Sequence, residues 1–122
     1  MGRPRAGGPV RRGEVYDARL DPVEGSEQGG TRPVVIVTRD AILGGSTVAS
    51  IVPLTTFRPH RKLYPSHVLV RAPEGGLSAD SVALAEQTRV LSKARLLHFR
   101  GTLSGETMSQ LARALRIALD LD

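Results

Sequence analysis

The chain has 122 residues and no cysteine, and its 17 Lys and Arg residues against 12 Asp and Glu residues give a net charge of +5. A chain of this size can bury the core of one domain, and the absence of cysteine excludes disulfides and thiolate metal sites. The three histidines lack metal-ligand spacing, and no apolar run approaches the roughly 20 residues of a membrane span or resembles a signal peptide. These features predict a cytoplasmic protein that needs no metal or cofactor.

The chain begins with a segment rich in Gly, Pro and Arg and without hydrophobic periodicity. This composition predicts a flexible basic arm over residues 1–11 and a folded domain over residues 12–122. Four arginines precede the first acidic residue, and they leave a net charge of only +1 for the rest of the chain. Net charge alone therefore says little about binding partners.

Short apolar runs separated by turn residues then predict a series of β-strands. These strands are residues 14–20, 32–39, 47–54, 67–70 and 81–86, with residues 90–91 extending or following the last. Breaks between them are predicted at Asp21-Pro22, Gly44-Gly45 and 74–76. Pro53 cannot donate to a strand ladder, so its strand is predicted to lie at a sheet edge or to be bulged there.

The end of the chain changes to a helical pattern. Residues 92–97 predict one short helix held by Leu96 and Leu97. Ser104 can cap a second helix, whose apolar side chains have the spacing of one helical face. These side chains are Met108, Leu111, Ala112, Leu115, Ala118 and Leu119. Many short strands followed by one amphipathic helix predict a mainly β fold, a small, strongly bent antiparallel barrel with a C-terminal helix.

The most distinctive motif is a polar, glycine-rich loop at residues 25–31, which leads into Arg32 and the apolar residues 34–37. Glycine lets the backbone approach a ligand closely, and the planar guanidinium of Arg32 matches two phosphate oxygens. The motif therefore predicts a phosphate-binding arginine at the mouth of a buried strand. The alternative is a surface ion pair of Arg32 with Glu27 or Glu24.

A second feature is the segment 57–73, which contains no Asp or Glu. Its basic side chains are Arg58, His60, Arg61, Lys62, His67 and Arg71. This local positive charge suits a phosphate backbone, and the flanking rings of Phe57 and Tyr64 suit stacking on unpaired RNA bases. Two alternatives are a basic loop that is only solvated surface and aromatic rings that are buried in the core.

Further motifs follow in order: GEVYDARLDP at residues 13–22, PLTT at 53–56, YPSHV at 64–68 and DSVALAEQTR at 80–89. Together with the glycine-rich loop they resemble the MazF/PemK family of toxin endoribonucleases, collinearly from about Arg12 to the end of the chain. The resemblance implies an SH3-like β-barrel of the MazF/PemK/CcdB type with a C-terminal helix. It also implies a homodimer and a cognate MazE-like antitoxin whose acidic segment occupies the RNA groove.

The resemblance further implies which residues cleave RNA. Arg32 and Thr55 match the family positions most closely tied to cleavage, in which the RNA 2′-hydroxyl attacks and leaves a 2′,3′-cyclic phosphate and a 5′-hydroxyl. Arg32 stays charged, so its expected role is to stabilise the negative charge on phosphorus, and Thr55 is expected to donate to the scissile phosphate. On its own, Thr55 could instead satisfy a backbone group at a strand end. Glu27 is a candidate general base or a residue that orients Arg32.

Thr31 stands where some family members carry a histidine, so the identity of the general acid is left open, and His60 and His67 are candidates. The residues expected to bind RNA are Ser26, Gln28, Thr56, Phe57, Arg58, Arg61, Lys62, Tyr64, Gln87 and Arg89. The overall expectation is a sequence-specific, metal-independent endoribonuclease that cuts single-stranded mRNA as the toxin of a toxin-antitoxin pair. The alternatives are a CcdB-like toxin that poisons gyrase and a catalytically silent barrel that binds RNA.

Overall fold

The computed structural model describes residues 9–122, which form a seven-stranded antiparallel sheet and two helices. The strands are β1 (Glu14–Arg19), β2 (Thr31–Ile36), β3 (Val48–Thr56), β4 (His67–Val70), β5 (Ser81–Leu84), β6 (Arg89–Ser92) and β7 (Leu96–Thr102). The helices are α1 (Asp40–Leu43) and α2 (Gly105–Leu119), and single 3-10 turns lie at Glu74–Gly76, Ala85–Gln87 and Lys93–Arg95. Residues 1–8, most of the predicted basic arm 1–11, lie outside the described residues.

The strands are joined in the order β4-β5-β3-β2-β1-β7, and β6 pairs with β3. One side of β3 pairs with β6 up to Ile51 and with β5 from Leu54 onward, while its other side pairs with β2. The prediction of an edge or bulge at Pro53 is wrong, because β3 lies inside the sheet. Pro53 is tolerated there because its missing N–H falls where β3 changes partner from β6 to β5.

Both faces of the sheet are covered, so alternate residues of β1 and β2 enter two different hydrophobic clusters. The cluster against α2 includes Val15, Val35, Val52, Leu54, Leu111 and Ala114. The cluster on the opposite face includes Tyr16, Val34, Ile36, Leu43, Leu91 and Leu96. The aliphatic core on both sides holds β2 and β3, the strands that carry Arg32 and Thr55, as a rigid frame.

The end strands β4 and β7 are not hydrogen-bonded to each other in the part of the chain that the structure describes. The predicted mainly β fold with a C-terminal helix is confirmed, and its barrel is bent but not closed by a ladder. The turn Glu74–Gly76 fills this seam, where Arg100 donates from Nε and Nη2 to Gly76 O at 3.2 and 2.9 Å. Gly76 has φ +71°, and a Cβ atom there would lie 2.0 Å from Arg100 O. Only glycine fits this position.

The helix α2 begins as predicted, with Ser104 Oγ accepting a hydrogen bond from Thr107 N at 3.1 Å. Its packed face is formed by Thr107, Met108, Leu111, Ala114, Leu115 and Ala118. Leu119 was expected on this face but is 52% exposed, because it lies about 80° around the helix from Leu111. No helix within residues 9–122 has the length and apolar character needed to cross a membrane.

The predicted helix at residues 92–97 is wrong. Ser92 caps only the single turn Lys93–Arg95, and Leu96 begins the strand β7. This strand pairs with β1, with Phe99 opposite Tyr16. The pairing with a distant strand decides the conformation here, and the local sequence does not show it.

Candidate active site

Arg32 and Thr55 lie near the same end of the β2–β3 pair. These strands pair antiparallel with Val34 opposite Pro53, where the ladder ends. Arg32 and Thr55 each lie two residues beyond this last pair. Residues two apart on a strand share a face of the sheet, so the two predicted catalytic residues lie on the face of the Val34–Pro53 pair.

Both side chains keep hydrogen-bond donors available for a ligand. Arg32 Nε donates to Gly29 O at 2.8 Å, which holds the half-buried guanidinium against the glycine-rich loop. Within residues 9–122, the two Nη groups of Arg32 and the hydroxyl of Thr55 have no hydrogen-bond partner, and Arg32 forms no ion pair with Glu27 or Glu24. The two structural alternatives, a surface ion pair and a satisfied strand end, therefore do not occur in this part of the chain.

Glu27 is held by its own loop. Its Oε1 accepts from Glu24 N at 2.8 Å, and Glu27 N donates to Glu24 O at 3.2 Å. Its carboxylate is exposed and lies at the wall of a cleft that Arg32 and Thr55 do not line. Among the described residues, Glu27 therefore has no hydrogen bond or ion pair with Arg32.

This cleft has a volume of about 620 Å³ and opens between the loop that precedes β2 and the segment 86–89. Its apolar walls include Pro22, Val23 and Pro53, and its polar walls include Gln28 and Arg89. Pro53 lies on β3 two residues before Thr55, but Arg32 and Thr55 themselves do not line the cleft. Most of the lining residues are polar or charged, and they include the glutamates Glu24, Glu27 and Glu86, so the wall offers carboxylate acceptors as well as the donors of Arg89.

Several residues expected to bind RNA meet at the cleft, where they bind one another. Gln87 Oε1 accepts from Gln28 N at 2.9 Å, and Gln87 Nε2 donates to Ser26 O at 3.4 Å. Arg89 Nη1 donates to Leu20 O at 3.1 Å. Gln28 Oε1 is buried without a partner among the described residues. The amide of Gln87 is thus used at both ends inside the protein, while Arg89 keeps further donors for a ligand.

The basic loop, residues 57–66 between β3 and β4, lies at the surface. Phe57, Arg61 and Ser66 are half-buried, and the other loop residues and the last residue of β3 are exposed: Thr56, Arg58, Pro59, His60, Lys62, Leu63, Tyr64 and Pro65. Tyr64 is 53% exposed, with Lys62 Nζ 5.3 Å from the centroid of its ring. Neither Phe57 nor Tyr64 belongs to the two core clusters. The structure therefore contradicts the alternative that both rings are buried in the core.

Residues 11–119 match the family model of the PemK-like, MazF-like toxin of type II toxin-antitoxin systems. The chain belongs to this family. Endoribonuclease MazF9 of Mycobacterium tuberculosis (strain ATCC 25618 / H37Rv) is 40% identical to it over 117 residues, which are 92% of this chain and 98% of the relative. The family resemblance drawn from the sequence motifs is confirmed.

Solved structures of MazF proteins have the same fold. An endoribonuclease in complex with its cognate antitoxin, from a mycobacterial species, has a TM-score of 0.77 and 26% identity over 93% of this chain and 97% of that one. MazF from Deinococcus radiodurans has a TM-score of 0.79 and 23% identity over 93% of this chain and 99% of its own. These likenesses confirm the MazF-type barrel.

His67, the first residue of β4, is fixed by hydrogen bonds on both ring nitrogens. Its side chain is only 7% exposed. Nδ1 accepts from Tyr64 N at 3.2 Å, and Nε2 lies 3.2 Å from Glu86 Oε2. Because Nδ1 accepts, the ring proton lies on Nε2 and is donated to Glu86. This geometry favours a structural role for His67, whereas His60 is exposed in the basic loop.

Sequence reasoning missed Glu86. Its carboxylate accepts from Ser66 Oγ at 3.0 Å in addition to the contact with His67. A lone exposed glutamate in the motif at residues 80–89 carries no signal that distinguishes it from solvated surface. Its contacts with the basic loop appear only when β4 and β5 pair.

Proposed function

We propose that this chain is a sequence-specific endoribonuclease that cuts single-stranded RNA, chiefly mRNA, as the toxin of a toxin-antitoxin pair. The observation that carries the proposal is that Arg32 and Thr55 each lie two residues beyond the last β2–β3 pair, while the Arg32 Nη groups and the Thr55 hydroxyl stay unbonded within residues 9–122. Family membership and the 40% identity to an endoribonuclease support the same activity. With mRNA as substrate, the proposed place of action is the cytoplasm.

The proposed reaction uses the RNA's own nucleophile. The 2′-oxygen loses its proton and forms a bond to the adjacent phosphorus, the bond from phosphorus to the 5′-oxygen breaks, and that oxygen gains a proton. The products are a 2′,3′-cyclic phosphate and a 5′-hydroxyl. The free Nη groups of Arg32 and the hydroxyl of Thr55 donate to the phosphoryl oxygens, where negative charge develops in the transition state.

In the proposed reaction, Glu27 accepts the proton that leaves the 2′-hydroxyl. A guanidinium is not deprotonated in proteins, so Arg32 cannot accept this proton. Glu27 is the carboxylate of the glycine-rich loop that leads into Arg32, and it lies at the cleft wall. The reaction as proposed needs no metal ion, and within residues 9–122 no group of three or more His, Asp or Glu side chains could hold one.

The proposed partners follow from the surface of the molecule. One structural relative was solved in complex with its cognate antitoxin, and the segment 57–73, which contains no acidic residue, suits the acidic segment of a MazE-like antitoxin. Ile117, Leu119 and Leu121 are 49%, 52% and 60% exposed at the end of α2. This apolar end favours a homodimer, since exposed apolar patches mark interaction sites.

The test is incubation of the purified protein with a long single-stranded RNA in EDTA, followed by mapping of the 5′ ends. We expect discrete cuts at a recurring short sequence, 5′-hydroxyl ends, and a loss of at least about 100-fold in Arg32→Ala. Arg116→Ala is the matched control, because Arg116 is an exposed arginine on α2. Intact RNA from folded wild-type protein would contradict the proposal and make gyrase inhibition the next assay.

A further inference from the structure

The 3-10 turn Ala85–Gln87 contacts the end of the basic loop through three hydrogen bonds. Ala85 N donates to Ser66 O at 3.0 Å. Both carboxylate oxygens of Glu86 are used as well, since Oε1 accepts from Ser66 Oγ at 3.0 Å and Oε2 lies 3.2 Å from His67 Nε2. One short turn therefore fixes the place where the basic loop meets β4.

His67 extends this contact into the basic loop. Its Nδ1 accepts from Tyr64 N at 3.2 Å, and its ring meets the Tyr64 ring edge-on with centroids 5.4 Å apart. Lys62 Nζ lies 5.3 Å from the centroid of the Tyr64 ring. The Glu86 carboxylate thus helps to hold Tyr64 in place through its contact with His67. Tyr64 is an aromatic residue expected to contact RNA.

The next residue of the turn holds the glycine-rich loop. Gln87 accepts from Gln28 N at 2.9 Å and donates to Ser26 O at 3.4 Å. The following residue of that loop, Gly29, accepts from Arg32 Nε at 2.8 Å. Through these bonds the position of Gln87 helps to set the position of the Arg32 guanidinium.

We propose that the turn Ala85–Gln87 couples the two loops of the site, with Glu86 positioning the basic loop that binds RNA and Gln87 positioning the loop that supports Arg32. This inference rests on the proposed nuclease function. Both residues also line the cleft; in this proposal they act as positioning residues, because each holds a loop of the site.

The two neighbouring residues then have separable effects. Glu86→Ala frees a loop that contacts RNA away from the cut, so KM rises about fivefold to tenfold while kcat stays within about twofold. Gln87→Ala loosens the support of Arg32, so kcat falls at least about tenfold. Glu86→Gln keeps KM near the wild-type value, because an amide can accept from His67 Nε2 and donate to Ser66 Oγ.

The experiment combines steady-state cleavage of a short RNA with amide hydrogen exchange of the free protein. The reporter is the Tyr64 amide, whose bond to His67 depends on Glu86 in this proposal. We expect its exchange to accelerate about fivefold or more in Glu86→Ala and to stay unchanged in Glu86→Gln. Glu106→Ala is the matched control, because Glu106 is an exposed acidic residue on α2 that forms no hydrogen bond with its side chain within residues 9–122.

Should Glu86→Ala fail to fold, Ser66→Ala removes one of the two hydrogen bonds to the Glu86 carboxylate. This variant is expected to change KM and the exchange of the Tyr64 amide in the same direction.

An unchanged KM and unchanged Tyr64 exchange in Glu86→Ala would overturn the proposal, and so would an equal defect in Glu86→Gln. If the wild-type protein cuts no RNA, the proposed function fails. In that case, two measurements on the variants still test the coupling: the exchange rate of the Tyr64 amide, and the affinity for a 2′-O-methyl RNA, which cannot be cut.

Discussion

At the scale of single residues, the candidate site is marked by a threonine that differs from its neighbours. Thr88 Oγ1 donates to Ile51 O at 3.0 Å, and Thr38 Oγ1 accepts from Ser50 N at 2.7 Å. Both hydroxyls complete the backbone hydrogen bonding of the sheet, as threonines near strand ends commonly do. The hydroxyl of Thr55 has no such partner among the described residues, so it is available to a substrate.

Substitution of Thr55 tests this availability. We expect Thr55→Val, which keeps the shape but removes the hydroxyl, to lower kcat/KM about 100-fold. Thr55→Ser keeps a donor and should lose less than about tenfold. Because the hydroxyl makes no bond inside the described protein, the melting temperature should be nearly the same in both variants. Wild-type cleavage by Thr55→Val, measured with the same RNA, would remove Thr55 from the site.

At the scale of secondary structure, the sequence predicts elements whose stability comes from their own apolar pattern. Each predicted strand is present, and α2 begins at Ser104 as expected. β7 was missed because the residues from Leu96 to Thr102 show no clean alternation and become a strand only beside β1. The same limit applies to the site. Motifs single out Arg32 and Thr55, but their placement near one end of the β2–β3 pair depends on strand register, and the contacts of Glu86 depend on strand pairing.

The seam turn Glu74–Gly76 is joined to α2 by a charged side chain. Glu74 Oε2 accepts from Ser104 N at 2.9 Å. Partial burial acts to raise the pKa of Glu74, but hydrogen bonds from the Ser104 backbone and from the Thr107 and Ser104 side chains outweigh it, so the pKa is lowered. The ionised carboxylate therefore stabilises the start of the helix.

We expect Glu74→Gln to lower the free energy of unfolding by at most about 1 kcal/mol near pH 7, since water screens this partly exposed group. A lowered folded-state pKa gives stabilisation that is present above the ordinary pKa of glutamate and lost as the pH falls through the folded-state value. Urea titrations should therefore show a difference between wild type and variant near neutrality that disappears in acid. A difference that persists below the folded-state pKa would show that charge is not its cause.

The close packing at the seam leads to a prediction for Gly76. We expect Gly76→Ala to destabilise the protein by about 2 to 4 kcal/mol, because the added Cβ meets Arg100 O and the positive φ is strained. Gly44→Ala is the matched control, with φ −61° and no atom within 4 Å of the added Cβ. It should change the stability by less than about 1 kcal/mol. Equal effects in urea unfolding would contradict the close packing at the seam.

At the scale of the whole molecule, ion pairing outside the basic loop leaves the unpaired positive charge concentrated in that loop. Arg71 Nη1 lies 3.0 Å from Asp80 Oδ2, so this arginine is already neutralised. Arg58 and Lys62 of the basic loop are exposed, and neither forms an ion pair among residues 9–122. We therefore expect an RNA backbone to be attracted to the basic loop more than to the strand that follows it.

The salt dependence of RNA affinity distinguishes these arginines. Each phosphate contact to single-stranded RNA contributes a slope of about −0.7 to the plot of log K against log salt. We expect Arg58→Ala to reduce the slope by about that amount and Arg71→Ala to leave it nearly unchanged. Binding of a 2′-O-methyl RNA, measured across a salt series, gives both slopes without cleavage. An equal reduction in both variants would place RNA on Arg71 as well.

The pairing of the first and last strands has a consequence for the synthesis of the chain. Arg100 of β7 donates to Asp17 of β1 at 3.0 Å across 83 residues of sequence. Contacts so distant in sequence can form only after the chain has been synthesised as far as β7. A nascent chain that ends before β7 leaves the outer edge of β1 unpaired and has no α2 to cover the core. For the proposed toxin, activity would thus begin only once β7 and α2 had left the ribosome.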